Sequence, residues 1–167
     1  MEQKEPLVSV VMPVFNGSST IRLALSSLVY QDYKNWECII VNDGSTDDTI
    51  NIIESFGDPR IKLTNLDKNR GRGFARDIAI KKCKGKYLCY LDADDFLHHE
   101  KIYKQVQVLE CNSDIDLVGC SRIQFNDELL PLMASGQKKT TKVLHKDGNP
   151  LPLVMPSVCL LYTSPSP

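Results

Sequence analysis

The chain has 167 residues, enough for one domain with a substantial core, and its 42% hydrophobic and 25% charged residues are ordinary for a globular protein. The formal net charge of −1 gives no support for a nucleic-acid or membrane-surface partner. No apolar run approaches the roughly 20 residues that cross a bilayer, and the first residues lack the apolar segment of a signal peptide.

The six cysteines include no CxxC pair, and two of them, Cys38 and Cys89, lie inside apolar runs typical of strands. This pattern favours reduced, mostly buried thiols in a cytoplasmic protein over a disulfide or zinc framework. The other four cysteines are Cys83, Cys111, Cys120 and Cys159.

Strand and helix patterns alternate along the first 120 residues. The first apolar run is expected to end at Pro13, and Ser18 or Ser19 is expected to cap the helix that follows. Ser45 and Asp48 have the spacing of a capping box before the second helix. The predicted strands are 7–12, 36–41, 61–66, 87–91 and 116–120, and the predicted helices are 20–30, a segment around 50–56, 74–82 and 100–109.

This order of elements predicts an α/β fold with a mainly parallel sheet and helices on both of its faces. In such sheets, ligands bind outside the carboxyl ends of the strands. Four polar clusters fall at those ends and should converge on one rim, which favours a nucleotide site. The clusters are residues 13–17, 42–45, 68–73 and 92–95.

The fourth strand, within residues 87–96, runs directly into three carboxylates. Asp92 and Asp94 are two residues apart, so an extended backbone points both side chains the same way. A divalent cation at that point would relieve their mutual repulsion. The alternative is an acidic strand-to-helix turn in which Asp95 caps the next helix.

Three segments of the sequence, in this order, resemble the motifs of one family. They read Val-Met-Pro-Val-Phe-Asn, Val-Asn-Asp-Gly-Ser-Thr-Asp and Leu-Asp-Ala-Asp-Asp, and they are similar to those of the inverting glycosyltransferase family 2. The resemblance covers about residues 7–120 and, more weakly, 155–159. It implies a GT-A-like, Rossmann-type sandwich in which residues 7–120 bind the donor, after an N-terminal extension at 1–6.

The resemblance places the donor's nucleobase against the first two loops. Pro13, Val14, Phe15 and Asn16 would border the base, and Phe15 would stack on it where the family often has Tyr. The alternative for Phe15 is a buried anchor of its loop. Asp43 would accept a hydrogen bond from the imide N–H of uracil, and its alternative is an Asx turn or a helix cap.

Asn69 and Arg76 match family positions that contact the nucleotide and its diphosphate, a task that suits a guanidinium group. Asp77 stands where the family usually has Asn, and it would form a salt bridge with Arg76 or Lys81. Three further cations would add positive potential or simply be solvated: Lys68, Arg70 and Arg72.

The segment Asp92-Ala93-Asp94 matches the DxD signature of the family. The resemblance implies that Asp94 binds Mn²⁺ or Mg²⁺ directly, and that Asp92 lies near the ribose or reaches the metal through water. The metal would offset the charge on the departing diphosphate. Asp95 would be structural or a helix cap, and His98 and His99 are interpreted as a solvated turn without metal.

The resemblance further implies metal-dependent transfer of a sugar, with inversion, from a nucleotide-sugar donor to an acceptor hydroxyl. The expected donor is a UDP-sugar, and the acceptor is a glycan, a lipid-linked molecule or another hydroxyl compound, with no role for nucleic acid. The expected setting is the cytoplasm or the cytoplasmic face of the inner membrane, with peripheral attachment through regions beyond this sequence. Two alternatives are a nucleotidyltransferase, disfavoured because its long glycine-rich loop after the first strand is missing, and a non-catalytic nucleotide-sugar-binding module.

Inverting transfer requires a general base that deprotonates the acceptor hydroxyl. The family supplies this Asp or Glu beyond the segment that resembles residues 155–158, and the sequence ends before that position. We therefore expect C-terminal truncation, with a short donor-binding protein as the alternative. Residues 121–161 would begin the acceptor side, and 162–167 would be a non-native or disordered tail.

Overall fold

A computed structural model describes residues 5–120, 141–144, 150–153 and 161–163 of the chain, the last three ranges as strands only. In chain order the elements are β1 (Val8–Val14), α1 (Ile21–Val29), β2 (Trp36–Asn42), α2 (Thr49–Glu54), β3 (Ile61–Asn65), α3 (Arg72–Lys81), β4 (Tyr87–Tyr90), α4 (Lys101–Cys111), β5 (Leu117–Val118), β6 (Thr141–Leu144), β7 (Pro150–Leu153) and β8 (Leu161–Thr163). Cys159 and most of the predicted acceptor-side segment 121–161 lie outside the described residues.

The main sheet has six strands in the order β3-β2-β1-β4-β8-β5, and β6 pairs with β7 separately. The first four strands in this order are parallel, while β8 runs antiparallel to both β4 and β5. The predicted α/β fold with a mainly parallel sheet is therefore confirmed. Tyr162 and Thr163, which lie in the segment 162–167 expected to be a non-native or disordered tail, pair with β4 inside β8.

Helices cover both faces of the sheet, as predicted. On one face, α1, α2 and α4 pack apolar side chains such as Leu25, Ile53 and Ile102 against the strands. On the other face, Ala75 and Ala79 of α3 pack against alternate residues of β1 and β2. Among the described helices, only α3 covers that face, so its outer side is the outer surface of this layer. No described helix combines the length and apolarity that crossing a bilayer demands.

Pro13 does not end the first strand, contrary to our expectation. Val8 donates to the Asn35 carbonyl and Val14 accepts from the Asp43 N–H, so even-numbered residues of β1 bond toward β2. Pro13 faces the other side, where pairing with β4 has already stopped at Val11. Proline is tolerated there because no strand needs its missing N–H.

The predicted side-chain caps of α1 and α2 also do not form. Thr20 precedes α1 and Asp48 precedes α2, and neither makes a capping hydrogen bond through its side chain. The five described cysteines are free thiols, as predicted, although only Cys38 and Cys89 are buried.

A buried carboxylate stabilises the end of the sheet that lies opposite the carboxyl rim. Glu37 Oε1 accepts from Ser9 Oγ (2.6 Å) and Lys84 N (2.8 Å), and its Oε2 accepts from Lys62 Nζ (2.6 Å). Burial acts to raise the pKa of Glu37, but the hydrogen bonds outweigh this effect and leave the pKa below its ordinary value. Next to this group, a Cβ on Gly85 would lie 2.6 Å from Ser9 N, so the chain turns where only glycine fits.

Candidate functional site

A cleft of about 490 Å³ opens at the carboxyl ends of the parallel strands, where such sheets bind ligands. All four predicted polar clusters contribute to its surface: 13–17 and 92–95 contribute most, the basic loop 68–73 contributes two residues, and 42–45 contributes only Asp43. The lining residues are Pro13, Val14, Phe15, Asn16, Gly17, Ser19, Thr20, Asp43, Asn69, Arg72, Asp92, Ala93 and Asp94. Of the predicted site residues, only Arg76 is missing from this lining.

The loop after β1 is bonded to the loop after β2. Asn16 N donates to Ser45 Oγ (2.8 Å), and Thr46 N donates back to Asn16 Oδ1 (2.9 Å). Asn16 has a φ of 50°, a left-handed conformation that asparagine tolerates better than most residues. The Ser45 hydroxyl therefore accepts a hydrogen bond in the wall of the cleft and does not form the predicted capping box.

Asp47 adds a second link between the same two loops. It accepts from Thr49 Oγ1 (2.5 Å) and from the Ser18 backbone N–H (3.0 Å). The hydrogen bond from Thr49 and, to a smaller extent, that from Ser18 hold the pKa of the Asp47 carboxyl well below its usual range. The wall beside Phe15 is thus fixed before any ligand arrives.

Asp43 connects β2 to the basic loop that precedes α3. It is buried, and its two carboxylate oxygens accept from Arg70 N and Gly71 N, each at 2.8 Å. It does not form the alternative Asx turn, because Asn42 Oδ1 accepts from Ser45 N instead (3.1 Å). Each oxygen of Asp43 keeps further lone-pair capacity toward the cleft.

Phe15 and Asn69 both lie on the surface of the cleft. Phe15 is 47% exposed, so its alternative as a buried loop anchor is wrong. Asn69 Oδ1 accepts from Gly71 N (3.0 Å), which leaves its NH₂ group without a described partner. One apolar ring and one amide donor therefore face the space beside Asp43.

Asp92 is paired with two arginines. Its Oδ1 lies 2.5 Å from Arg76 Nη2, and its Oδ2 lies 3.7 Å from Arg72 Nη1. The side chain of Arg72 is 70% exposed on the cleft, whereas Arg76 lies behind Asp92 with its guanidinium over the Tyr90 ring. Arg76 Nε is buried and has no hydrogen-bond partner among the described residues. The cation in the cleft lining is therefore Arg72, expected only to add positive potential or be solvated, while Arg76, the predicted diphosphate contact, lies outside the lining.

Asp94 differs from Asp92 in having an open carboxylate. Its side chain is exposed, and no hydrogen bond or ion pair is recorded for it within the described part of the chain. A hard divalent cation fits this position, because Mg²⁺ is often held by one or two carboxylates together with substrate phosphates. Asp92 fits less well as a direct ligand, since its oxygens already face two guanidinium groups.

The residues after the carboxylates turn away from the cleft lining. Asp95 closes a turn with its backbone N–H on Asp92 O, but α4 begins only at Lys101, so Asp95 is not its cap. His99 Nδ1 lies 2.9 Å from Asp32 Oδ2. Burial, with the neighbouring His99, lowers the pKa of His98. Ligand atoms of His98, His99 and Glu100 lie within 4.8 Å of one another. The Glu100 carboxylate, however, already pairs with Lys104 Nζ at 2.7 Å.

Gly17 lines the cleft as part of the predicted cluster 13–17, whereas Ser19 and Thr20 are lining residues that the sequence did not predict. Their position between β1 and α1 was itself the available signal, because the first loop of a parallel sheet borders the ligand crevice. Asp77 pairs with Lys81 at 2.7 Å, one of the two partners that we expected.

A mainly parallel sheet layered by helices, with acidic, basic and aromatic side chains in a cleft at its carboxyl rim, defines a ligand-binding type of α/β architecture. The sequence model of "Glycosyl transferase family 2" matches residues 9–163. The chain therefore belongs to glycosyl transferase family 2, as its motifs predicted.

Two curated relatives from Escherichia coli carry the same description, UDP-Glc:alpha-D-GlcNAc-diphosphoundecaprenol beta-1,3-glucosyltransferase. WfgD is 33% identical over 141 residues, which cover 84% of this chain and 56% of WfgD. WfaP is 39% identical over 104 residues, which cover 62% of this chain and 41% of WfaP. The chain spans between about a fifth and somewhat over half of the length of the curated relatives that it matches.

Among solved structures, TarS of Staphylococcus aureus is similar in fold. Its residues 1–349 in complex with UDP give a TM-score of 0.70 at 25% identity, covering 85% of this chain and 43% of that chain. The corresponding complex with UDP-GlcNAc gives a TM-score of 0.69 at 26% identity, covering 81% and 40%.

Proposed function

We propose that the protein containing this chain transfers a sugar from a UDP-sugar to an acceptor hydroxyl, with inversion and with a divalent cation. The observation that carries the proposal is the meeting of Phe15, Asp43, Asp92 and Asp94 on one cleft at the carboxyl rim. Membership of the family and the UDP complexes of TarS support the same reading. The protein would act in the cytoplasm, at the membrane face that presents the acceptor.

Phe15 and Asp43 are the proposed nucleobase contacts. The exposed Phe15 ring offers a stacking face. Asp43 can accept an imide N–H while it keeps its two backbone hydrogen bonds, because each carboxylate oxygen has a second lone pair. Since Asp43 is already fixed by these bonds, little ordering is needed when the base binds.

Arg72 and Asn69 are the proposed contacts to the sugar-phosphate part of the donor. The Arg72 guanidinium is exposed on the cleft and is held only loosely by Asp92, so it can turn toward phosphate oxygens. Arg76 remains behind Asp92 and fixes the direction of its carboxylate. Asp92 would then accept a hydrogen bond from the ribose.

Asp94 is the proposed protein ligand of Mn²⁺ or Mg²⁺, since its carboxylate is exposed and open. When bound, the cation offsets the charge that develops on the departing diphosphate. The acidic residues that line the cleft are Asp43, Asp92 and Asp94. All three are used for the donor, and we assign the general base to none of them.

The reaction forms a bond between the acceptor oxygen and the anomeric carbon while the bond from that carbon to the diphosphate oxygen breaks. Attack from the face opposite the diphosphate inverts the anomeric centre. The hydroxyl proton passes to a base, and the electron pair leaves with the nucleoside diphosphate. The activities named for WfgD and WfaP favour a sugar on a lipid diphosphate as the acceptor.

Calorimetry of the chain with UDP and Mn²⁺ tests the donor site. We expect metal-dependent binding, and we expect Asp94→Asn to remove the dependence on Mn²⁺ while weak UDP binding remains. Asp77→Asn is the matched control, because Asp77 loses the same charge outside the cleft lining and pairs only with Lys81 in the described structure. If Asp94→Asn and Asp77→Asn bind UDP and Mn²⁺ equally well, Asp94 is not the ligand.

A second assay separates an enzyme from a binding module. The protein that contains this chain is incubated with UDP-glucose and a GlcNAc-diphospholipid, and the released UDP and the extended lipid are measured, of which a binding module would give neither. Stereochemistry of the new bond, read from the anomeric coupling constant, tests inversion. Retention of configuration would overturn the proposed single displacement.

A further inference from the structure

The charges of the chain are strongly segregated, although they nearly cancel in sum. Residues 60–86 hold ten of the 20 Lys and Arg residues but only two of the 21 Asp and Glu residues. The remainder of the chain is correspondingly acidic. The net charge of −1 therefore hides a basic segment, which runs from β3 through α3 to the start of β4.

The fold brings most of this segment onto one face of the sheet, whereas Arg60 over the Trp36 ring and Lys86 beside Glu110 of α4 lie toward the other face. α3 packs on β1 and β2 through Ala75 and Ala79. Lys62 of β3 lies opposite Ile39 in the register, so it points to the same face as α3. Lys82 Nζ reaches across to Thr64 Oγ1 of β3 at 2.7 Å. Neighbouring cations are thus spread over a continuous surface.

We call the outer side of this layer the α3 face and define it by Arg70, Phe74, Ile80, Lys81, Lys82 and Lys84. All six residues are exposed. Phe74 is 40% and Ile80 is 36% exposed, and the Arg70 guanidinium stacks 5.0 Å from the Phe74 ring centroid. Long basic side chains around exposed apolar groups are typical of protein surfaces that bind in the interface of a bilayer.

Few carboxylates oppose these cations. Asp77 lies on α3 but is bonded to Lys81 at 2.7 Å, and Glu37 is buried beneath Lys62. Asp67 is exposed at the start of the basic loop. Within the described residues, Arg70, Lys82 and Lys84 have no carboxylate partner, so their charge is available to an external anion.

We propose that the α3 face docks on the surface of an anionic phospholipid bilayer. Each basic residue near such a surface strengthens binding by roughly fivefold, and Phe74 and Ile80 add apolar insertion. A nucleic acid fits less well, because the rest of the chain is acidic and two exposed apolar side chains would find no partner. The proposal deepens the proposed function, on which its biological purpose rests: α3 begins at Arg72 on the cleft, so docking brings the cleft to the membrane where a lipid-linked acceptor lies.

Co-sedimentation of the 167-residue chain with vesicles tests the proposal. We expect binding to vesicles containing phosphatidylglycerol, weakened by added NaCl, and little binding to pure phosphatidylcholine. Lys82→Glu/Lys84→Glu should weaken binding by about 25-fold or more, and Phe74→Ser should weaken it several-fold without changing the salt dependence. Arg22→Glu/Lys34→Glu, in and just after α1, is the control of equal charge, and it should change binding by less than about twofold.

Equal loss in both double variants, equal binding to both kinds of vesicle, or equally tight binding to duplex DNA would overturn the proposal. Circular dichroism and UDP calorimetry on the same samples keep the outcomes distinguishable. Lys82→Glu/Lys84→Glu should keep its fold and its UDP affinity, because neither residue lines the cleft. Absence of UDP binding in the unaltered chain would refute the proposed function, while the vesicle result would still decide the docking face.

Discussion

Replacing Asp43 with Asn should loosen the basic loop and weaken UDP binding together. The carboxylate accepts two backbone N–H groups at 2.8 Å, from Arg70 and Gly71. An amide offers only one acceptor atom, so one N–H would face an NH₂ group and the other would lose a charged acceptor. Hydrogen bonds to charged groups contribute about 1.5–3 kcal/mol each.

The loop is exposed, so water will partly replace the lost partners, and we expect a net loss of about 2 kcal/mol in the free energy of unfolding. For a chain of this size, that corresponds to a fall in Tm of about 4–8 °C. The loss of a charged acceptor for the imide N–H should also weaken UDP binding by at least about tenfold. Urea denaturation and calorimetry measure the two effects.

Asp67→Asn is the matched control for this prediction. Asp67 is an exposed carboxylate at the start of the same loop, and it is not part of the cleft lining. Its replacement should leave both measurements nearly unchanged. A stable Asp43→Asn variant that binds UDP normally would refute the view that this carboxylate connects the loop to the nucleobase site.

Glu37→Gln should destabilise the fold at neutral pH by about 1–3 kcal/mol, because the buried acceptor of Lys62 and Ser9 loses its charge. The pKa of Glu37 is lowered in the folded state, so its contribution is present above the unfolded pKa of about 4.3 and is lost as the pH falls through the folded value. Gly85→Ala should lower the free energy of unfolding by about 1–3 kcal/mol, because the added Cβ would lie 2.6 Å from a backbone atom. Gly73→Ala should raise it by about 0.5–1 kcal/mol, because Gly73 lies within α3 and the added Cβ meets no neighbouring atom. Arg72→Ala should weaken UDP binding about tenfold with little change in stability, because its exposed side chain makes one 3.7 Å contact.

Each of these expectations has a contrary outcome. Urea titrations at several pH values would contradict the Glu37 prediction if the variant kept the acid dependence of the unaltered chain. Equal Tm shifts in the two glycine variants would show that the close approach at Gly85 is relieved by movement of the backbone. Calorimetry showing normal UDP affinity in Arg72→Ala would return the diphosphate contact to Arg76.

Most of the sheet was readable from local sequence. Buried parallel strands need almost continuous apolar runs, and β1, β2 and β4 have them between polar loops. Connection rules then bring the carboxyl ends of these strands together, which predicted that Phe15, Asp43 and Asp94 would share a cleft. The boundaries failed where a partner strand decides them, as at Pro13, which is permitted in β1 only because β4 pairing has stopped.

Local sequence did not predict which of two similar, neighbouring side chains takes which role. Asn42 and Asp43 are adjacent, yet only the strand geometry decides that Asn42 forms the turn and Asp43 holds the basic loop. Arg72 and Arg76 lie one helical turn apart, and only packing decides which one faces the cleft. Both residues are arginines on α3, so the sequence is compatible with either of them facing the cleft.

The sequence by itself determined the class of fold, the family and the set of polar residues at the rim, because these follow from periodicity and motifs along the chain. Tertiary structure decided that β8 lies between β4 and β5, that Asp94 is open while Asp92 is paired, and that the residues of the α3 face lie together. These features depend on which distant residues meet across the sheet. Such contacts are set by long-range register and packing, which a local pattern does not record.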